Sequence, residues 1–158
     1  MGKKTKEFYV IAHNIRSLFN VGSIFRTADA LGATKIYLTG YTGTPQNPIH
    51  RRKISKSALG AEEWVPWEYC KSAARLVRQL KVRGVRVVAL ENNISAISLP
   101  KFRPEFPLAL VLGEEVNGVP KALLKACGQV LEIPMVGKKE SLNVSVAFGI
   151  AAYAIVNG

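Results

Sequence analysis

Short apolar runs of strand length alternate with longer runs of helical period along this chain, and few architectures accept that order. Residues 8–12, 35–39, 85–90, 108–112 and 130–133 read as buried strands. A helical run through Ile24, Phe25, Ala28, Ala30 and Leu31 follows the first strand and stops at Gly32. Residues 68–81 read as an amphipathic helix with Cys70, Ala73, Ala74, Val77 and Leu80 inward and Lys71, Arg75 and Arg78 outward, stopped by Gly84. Residues 120–126 form a helix begun by a proline and ended by Gly128, and residues 144–156 form a last apolar helix. Between these, residues 41–60 read as a long polar loop and residues 62–66 as a short strand. Strand–helix alternation on this scale predicts an α/β fold, a mostly parallel sheet with helices on both faces.

At 158 residues the chain is one domain long, and residues 1–158 read as a single domain without an appended RNA-binding domain. No apolar run reaches the ~18 residues of a membrane helix, and residues 1–6 lead into a strand rather than a signal-peptide core. Cys70 and Cys127 are too few and too far apart for a metal motif, and His13 and His50 are isolated; no metal is expected. Each cysteine reads as a buried free thiol on a helix, which fits a reducing cytoplasm. The net charge of +11 is clustered at Lys3, Lys4 and Lys6, at Arg51, Arg52, Lys53 and Lys56, along residues 75–86, and at Lys138 and Lys139. Such an excess attracts a polyanion, and nucleic acid is the commonest one.

In parallel sheets ligands sit at the carboxyl ends of strands. Three ends here are polar: residues 91–93, 113–118 and 134–143. The last is an elbow between a strand and an apolar helix, which either Ser141 or Asn143 is able to cap. By itself it is equally a capped helix start and a ligand site. No Gly-x-Gly-x-x-Gly follows the first strand and no P-loop lysine occurs, which argues against a standard dinucleotide or nucleoside triphosphate site.

Three polar, glycine-bearing stretches carry more information together. They are Asn20-Val21-Gly22-Ser23-Ile24-Phe25-Arg26-Thr27-Ala28, Leu112-Gly113-Glu114-Glu115-Val116-Asn117-Gly118-Val119, and the elbow from Ile133 to Ala147 with Ser141-Leu142-Asn143 at its centre. In this order and spacing the chain resembles the SpoU-type (TrmH-like) RNA ribose 2′-O-methyltransferases of the SPOUT superfamily. Asn14-Ile15-Arg16-Ser17 and Lys56-Ser57-Ala58-Leu59-Gly60-Ala61-Glu62 extend the likeness over nearly the whole chain.

The resemblance implies a sheet whose C-terminal segment is threaded into a deep trefoil knot, an exception to the rule against knotted chains. It implies a homodimer that moves a methyl group from S-adenosyl-L-methionine to a ribose 2′-hydroxyl of tRNA or rRNA. Carried over residue by residue, Arg26, Asn20, Glu115, Ser141 and Asn143 are the expected catalytic residues. Leu90, Gly113, Ile133, Met135 and Leu142 are the expected cofactor contacts. Physical chemistry adds its own expectations. Arg26 is permanently protonated, so it suits electrostatic positioning better than the base role proposed for the family. Gly22, one turn earlier, leaves room beside the guanidinium, and Gly113 permits close approach of a ligand. Asn20 reads either as the cap of its helix or as a site residue. Glu114 stands where many relatives carry a small polar residue, and the flanking glycines favour Glu115 for the family role. RNA would be held by Arg16, Arg51, Arg52, Lys53 and Lys56. The alternative from another class is a non-catalytic RNA-binding protein that keeps the methyltransferase fold.

Overall fold

The structure, a computed structural model, describes residues 6–158. Lys3 and Lys4 of the first basic cluster lie outside the described residues. Seven strands form one parallel sheet: β1 (Phe8–His13), β2 (Lys35–Thr39), β3 (Trp67–Cys70), β4 (Arg86–Leu90), β5 (Ile97–Ser98), β6 (Leu108–Leu112) and β7 (Gln129–Glu132). Their order across the sheet is β3-β2-β1-β6-β4-β7-β5, and every pairing is parallel. The described residues also form six α-helices, α1 (Leu18–Ala30), α2 (Pro48–Ala58), α3 (Ala61–Trp64), α4 (Ala73–Val82), α5 (Lys121–Cys127) and α6 (Val144–Asn157), and one 3₁₀ turn at Leu99–Lys101.

Two cores flank the sheet because alternate strand residues point to opposite faces. Phe8, Val10, Ala12, Leu108, Leu110 and Leu112 pack beneath α1, α2 and α6 with Ile24, Phe25, Ile54 and Phe148. Ile11, Ala109 and Val111 face the other way, against Leu76, Val77 and Leu80 of α4 and Leu123 of α5. Fully burying each large side chain here stabilises the fold by about 1.5–3 kcal/mol. The α/β class and parallel sheet are as the alternation predicts.

Several expected elements differ. Residues 41–60 do not form a loop throughout, since α2 occupies Pro48–Ala58 with Asn47 as its cap and a proline in its first turn. Arg51, Arg52, Lys53 and Lys56 mask its apolar period, leaving only Ile54, Ser57 and Ala58 buried. Residues 62–66 hold no strand: α3 fills Ala61–Trp64, and the strand starts at Trp67. The amphipathic helix begins at Ala73 rather than at residue 68, because Ser72 caps it by accepting from the Arg75 amide (3.2 Å). Cys70 therefore sits half-buried on edge strand β3, while Leu76 takes the inward place expected of the half-exposed Ala74. Cys127 is buried on its helix, as expected. Strand β5, two residues long, is too short to leave a period in the sequence.

Around β7 the chain makes an unusual pairing. Leu131 is registered with Leu90 of β4 on one side and with Ile97 of β5 on the other. The connection between those two strands therefore has to pass around β7 within the six residues 91–96. Among the described residues no helix is long and apolar enough to cross a membrane.

Gly22 has a packing role in place of the one expected. A Cβ there would collide with Ser57 Oγ and the Ile54 carbonyl on α2, so its missing side chain lets α1 and α2 touch rather than clearing space for Arg26. Ser57 Oγ closes the same contact by donating to the Phe19 carbonyl (2.7 Å). Replacing Gly22 by alanine should therefore lower unfolding stability, despite alanine's better helix propensity, by roughly 1–3 kcal/mol, the usual cost of overpacking. Urea denaturation of the two proteins measures this difference, and a more stable variant would contradict the contact.

Candidate active site

The carboxyl ends of β4, β6 and β7 open into a cavity of about 220 Å³. Its wall is Leu90, Glu91 and Asn92 after β4, the stretch from Leu112 to Gly118 after β6, and Ile133, Met135, Ser141, Leu142, Val144 and Ala147 after β7. Thus Leu90, Gly113, Ile133, Met135 and Leu142 converge on one space, which Glu115 and Ser141 also line. Its surface is mixed: apolar side chains lie beside backbone and carboxylate groups, as suits a ligand with a flat apolar part and several polar ones.

Glu115 ties this wall to α1. Its carboxylate accepts from the amides of Arg16 and Ser17 (each 3.3 Å) and from Asn20 Nδ2 (3.2 Å). It stands at the amino end of α1, where unpaired N–H groups and the helix dipole favour an anion. Burial pushes the Glu115 carboxyl up, but its own amide, Asn20, and the Ser17 and Arg16 amides together outweigh that, and the net shift is downward.

Asn20 is not the cap of α1. Ser17 is, accepting from the Asn20 amide (3.1 Å). That frees the buried Asn20 side chain to bridge: Nδ2 donates to Glu115, and Oδ1 accepts from Asn143 Nδ2 (3.3 Å). Asn143 in turn caps α6, its Oδ1 accepting from the Ser145 amide (2.9 Å) and hydroxyl (2.6 Å). One hydrogen-bond chain, Glu115–Asn20–Asn143, therefore joins residues from all three polar stretches across 95 and 123 positions of sequence.

Other residues are placed apart. Arg26 is exposed, does not line the cavity, and lies six residues beyond Asn20, about 9 Å along the helix axis. Arg51, Arg52, Lys53 and Lys56 are exposed on α2, and Lys138 and Lys139 are exposed in the elbow. Arg16 is 69% exposed, with its guanidinium over the Tyr41 ring (6.0 Å) and Nε against the Tyr41 hydroxyl (3.4 Å).

Gly113 lines the cavity and also has a packing role. A Cβ there would strike the chain's own Gly118–Val119 backbone, so the glycine folds the loop after β6 on itself. Two residues go unassigned by the motifs. Glu91 Oε2 accepts the Val119 amide (2.8 Å) and sits where a side chain on Gly118 (φ +69°) would have to go. Asn92 donates from its side chain to the Glu140 carbonyl, fastening the elbow. Their position at a polar strand end was the available signal. Among the described residues no three metal-ligating side chains gather.

The linkage sign for Glu115 follows from its lowered pKa. The stability it contributes is complete above the ordinary carboxylate value of 4.5 and is lost as pH falls through its lower folded value. Glu115→Gln should therefore be destabilised most near neutrality, and the gap to wild type should narrow in acid. Urea midpoints measured from pH 7 down to pH 3 test this, and a constant gap would show that the charge is immaterial.

The chain is similar to known proteins over nearly its whole length. A family model described as the SpoU rRNA Methylase family matches residues 7–153. The chain is 30% identical over 152 residues to a tRNA (guanosine(18)-2′-O)-methyltransferase of Aquifex aeolicus, covering 96% of this chain and 69% of that one. An AdoMet-bound rRNA methyltransferase from Sinorhizobium meliloti superposes with a TM-score of 0.87 at 28% identity, over 97% of this chain and 57% of that one. A structure described as giving insights into the 2-OH methylation of C/U34 on tRNA superposes with a TM-score of 0.81 at 30% identity, over 94% and 93% of the two chains. Against two further curated relatives the chain spans 59% and 53% of their length.

Proposed function

The chain belongs to the SpoU rRNA methylase family, and from that premise we propose that it methylates a ribose 2′-hydroxyl of tRNA or rRNA with S-adenosyl-L-methionine. The observation that carries this reading is the joining of the three polar stretches beside one cavity. The residues fit the cofactor. Leu90, Ile133, Met135 and Leu142 give an apolar lining for an adenine, and the backbone around Gly113 and Met135 gives it hydrogen-bond partners. When bound there, the cofactor supplies a methyl group already activated on a sulfonium sulfur. The protein then has to align the hydroxyl and stabilise developing charge. Asn20 and Asn143 hold α1 and α6 at a fixed separation beside the cavity, and Ser141 stands on its rim to position the incoming ribose. Arg26 orients the hydroxyl electrostatically, since a guanidinium keeps its proton.

The position of Arg26 outside its own chain's cavity supports a homodimer in which the second copy completes the site. So does α6, whose outer side exposes Val146, Ile150 and Tyr153 while its inner side packs Phe148, Ala151, Ala152 and Ile155. A helix apolar on both sides calls for cover on both. The double registration of Leu131 supports the trefoil knot, because the chain after β7 has to leave beside the connection that wraps that strand. RNA is held by Arg16 and by the basic outer face of α2 in a protein of the cytoplasm.

The 30% identity to the C/U34-related structure over 94% of this chain makes tRNA the first substrate to test. Incubation of purified protein with labelled S-adenosylmethionine and total RNA should place label on ribose 2′-oxygens, mapped by resistance to alkaline cleavage. Arg26→Ala should reduce the rate by at least about a hundredfold, the scale of losing one charge-stabilising group. Equal absence of label with both proteins would favour the non-catalytic alternative.

Binding supplies an independent check. If about six phosphates are neutralised, RNA affinity should fall by roughly 10³ between 50 and 200 mM salt. Filter-binding titrations across that range read the slope, and a flat response would remove the basic face of α2 from the account.

A further inference from the structure

We propose that Glu114 allows this cavity to tell the cationic methyl donor from its neutral demethylated product. The inference deepens the cofactor reading above and rests on it. Among the described residues three carboxylates line the cavity, Glu91, Glu114 and Glu115, and no lysine, arginine or histidine does, in a chain whose net charge is +11. Two of the three are occupied by their own chain. Glu115 receives Arg16, Ser17 and Asn20, and Glu91 receives the amides of Val119 and Asn92. Glu114 is different. Its side chain is only 9% exposed, Oε2 accepts from Asn117 Nδ2 (2.9 Å), and Oε1 is buried with no hydrogen-bond donor among the described residues.

A buried carboxylate oxygen without a donor is costly, and a cation or N–H donor in the adjoining cavity offsets that cost. Among the described residues the cation paired with it is Arg16, whose Nε stands 3.9 Å from Oε1 on a mostly exposed side chain. At that distance and exposure it screens the carboxylate only in part. S-adenosylmethionine carries one net positive charge at neutral pH, on its sulfonium, and S-adenosylhomocysteine carries none. The α-amino and carboxylate groups are common to both, so a preference that depends on Glu114 reports the sulfonium. At an effective dielectric of about 20, a tenfold binding ratio corresponds to one charge sensed over about 12 Å. Loss of that charge on methyl transfer would then weaken the hold on the product and speed its release.

Calorimetric titration of the purified protein with S-adenosylmethionine, S-adenosylhomocysteine and sinefungin tests this, since sinefungin replaces the sulfonium methyl by a charged amine. Both cations should bind about tenfold more tightly than S-adenosylhomocysteine. Glu114→Gln keeps the shape and the acceptor for Asn117, and should bring the three affinities within about twofold by weakening the cations alone. Arg16→Gln should widen the gap, because it removes the partial screen. Equal weakening of all three ligands by Glu114→Gln, or an unchanged ratio, would overturn the inference. If that variant does not fold by circular dichroism, an unchanged ratio in Arg16→Gln overturns it instead. Failure of the wild type to bind any of the three removes the cofactor reading and this inference with it, whereas binding without discrimination removes the inference alone.

Discussion

The candidate site depends on a carboxylate at a helix start. Glu115 lies on the loop after the central strand β6, and α1 follows the neighbouring strand β1. Two backbone amides and the Asn20 side chain converge on it, so the sheet loop and the helix are fixed to each other by charge-assisted hydrogen bonds. Removing the carboxylate would leave the part-buried Asn20 amide without its acceptor, which costs more than that bond itself contributes. Asn20 then passes the constraint to Asn143, and through that cap to α6. An asparagine suits both steps because it donates and accepts at once. An aspartate at position 20 would set two carboxylates against each other.

The cavity is shaped by three loops that hold one another. Glu91, leaving β4, receives the Val119 amide and fills the space beside Gly118, so the loop after β6 has little freedom. Asn92, one residue on, holds the elbow after β7 at Glu140. Because Leu131 is flanked by both Leu90 and Ile97, the segment that carries Glu91 and Asn92 cannot move without disturbing β7. Rigid loops on a rigid sheet are what a site needs when its work is alignment.

Much of this was legible in the sequence, and the misses have a common cause. Leu108–Leu112, buried on both faces, shows as an unbroken apolar run, and its boundaries come out as expected. Helix α2 was invisible because only three of its residues are buried, so its charged face outweighed its period. Strand β3 lies on the sheet edge with Glu68 and Tyr69 exposed, and was absorbed into the amphipathic run of α4. The cavity-lining residues came from the resemblance, and the structure gathers them. Their partners did not follow: the bridge through Asn20 and the clamp of Glu91 are long-range facts, invisible to any local period. The Ser17 cap is local and was hidden by a second capping candidate, Asn20, three residues on.

The distribution of charge carries the last step. A net charge of +11 favours polyanions at the surface, and Arg16 and the α2 cations stand exposed there. The same excess would draw phosphate into any open pocket. A cavity lined by Glu91, Glu114 and Glu115 resists this, because bringing a phosphate against carboxylates in a low-dielectric recess is unfavourable. On the function proposed above, the two signs would sort two ligands in space, with the RNA backbone kept outside and a small cation admitted. Arg16 stands at the boundary, its guanidinium over Tyr41 and within 3.9 Å of Glu114. An RNA phosphate that draws Arg16 outward would leave Glu114 less screened, so RNA binding and retention of a cationic ligand would favour each other. Linkage makes that coupling reciprocal.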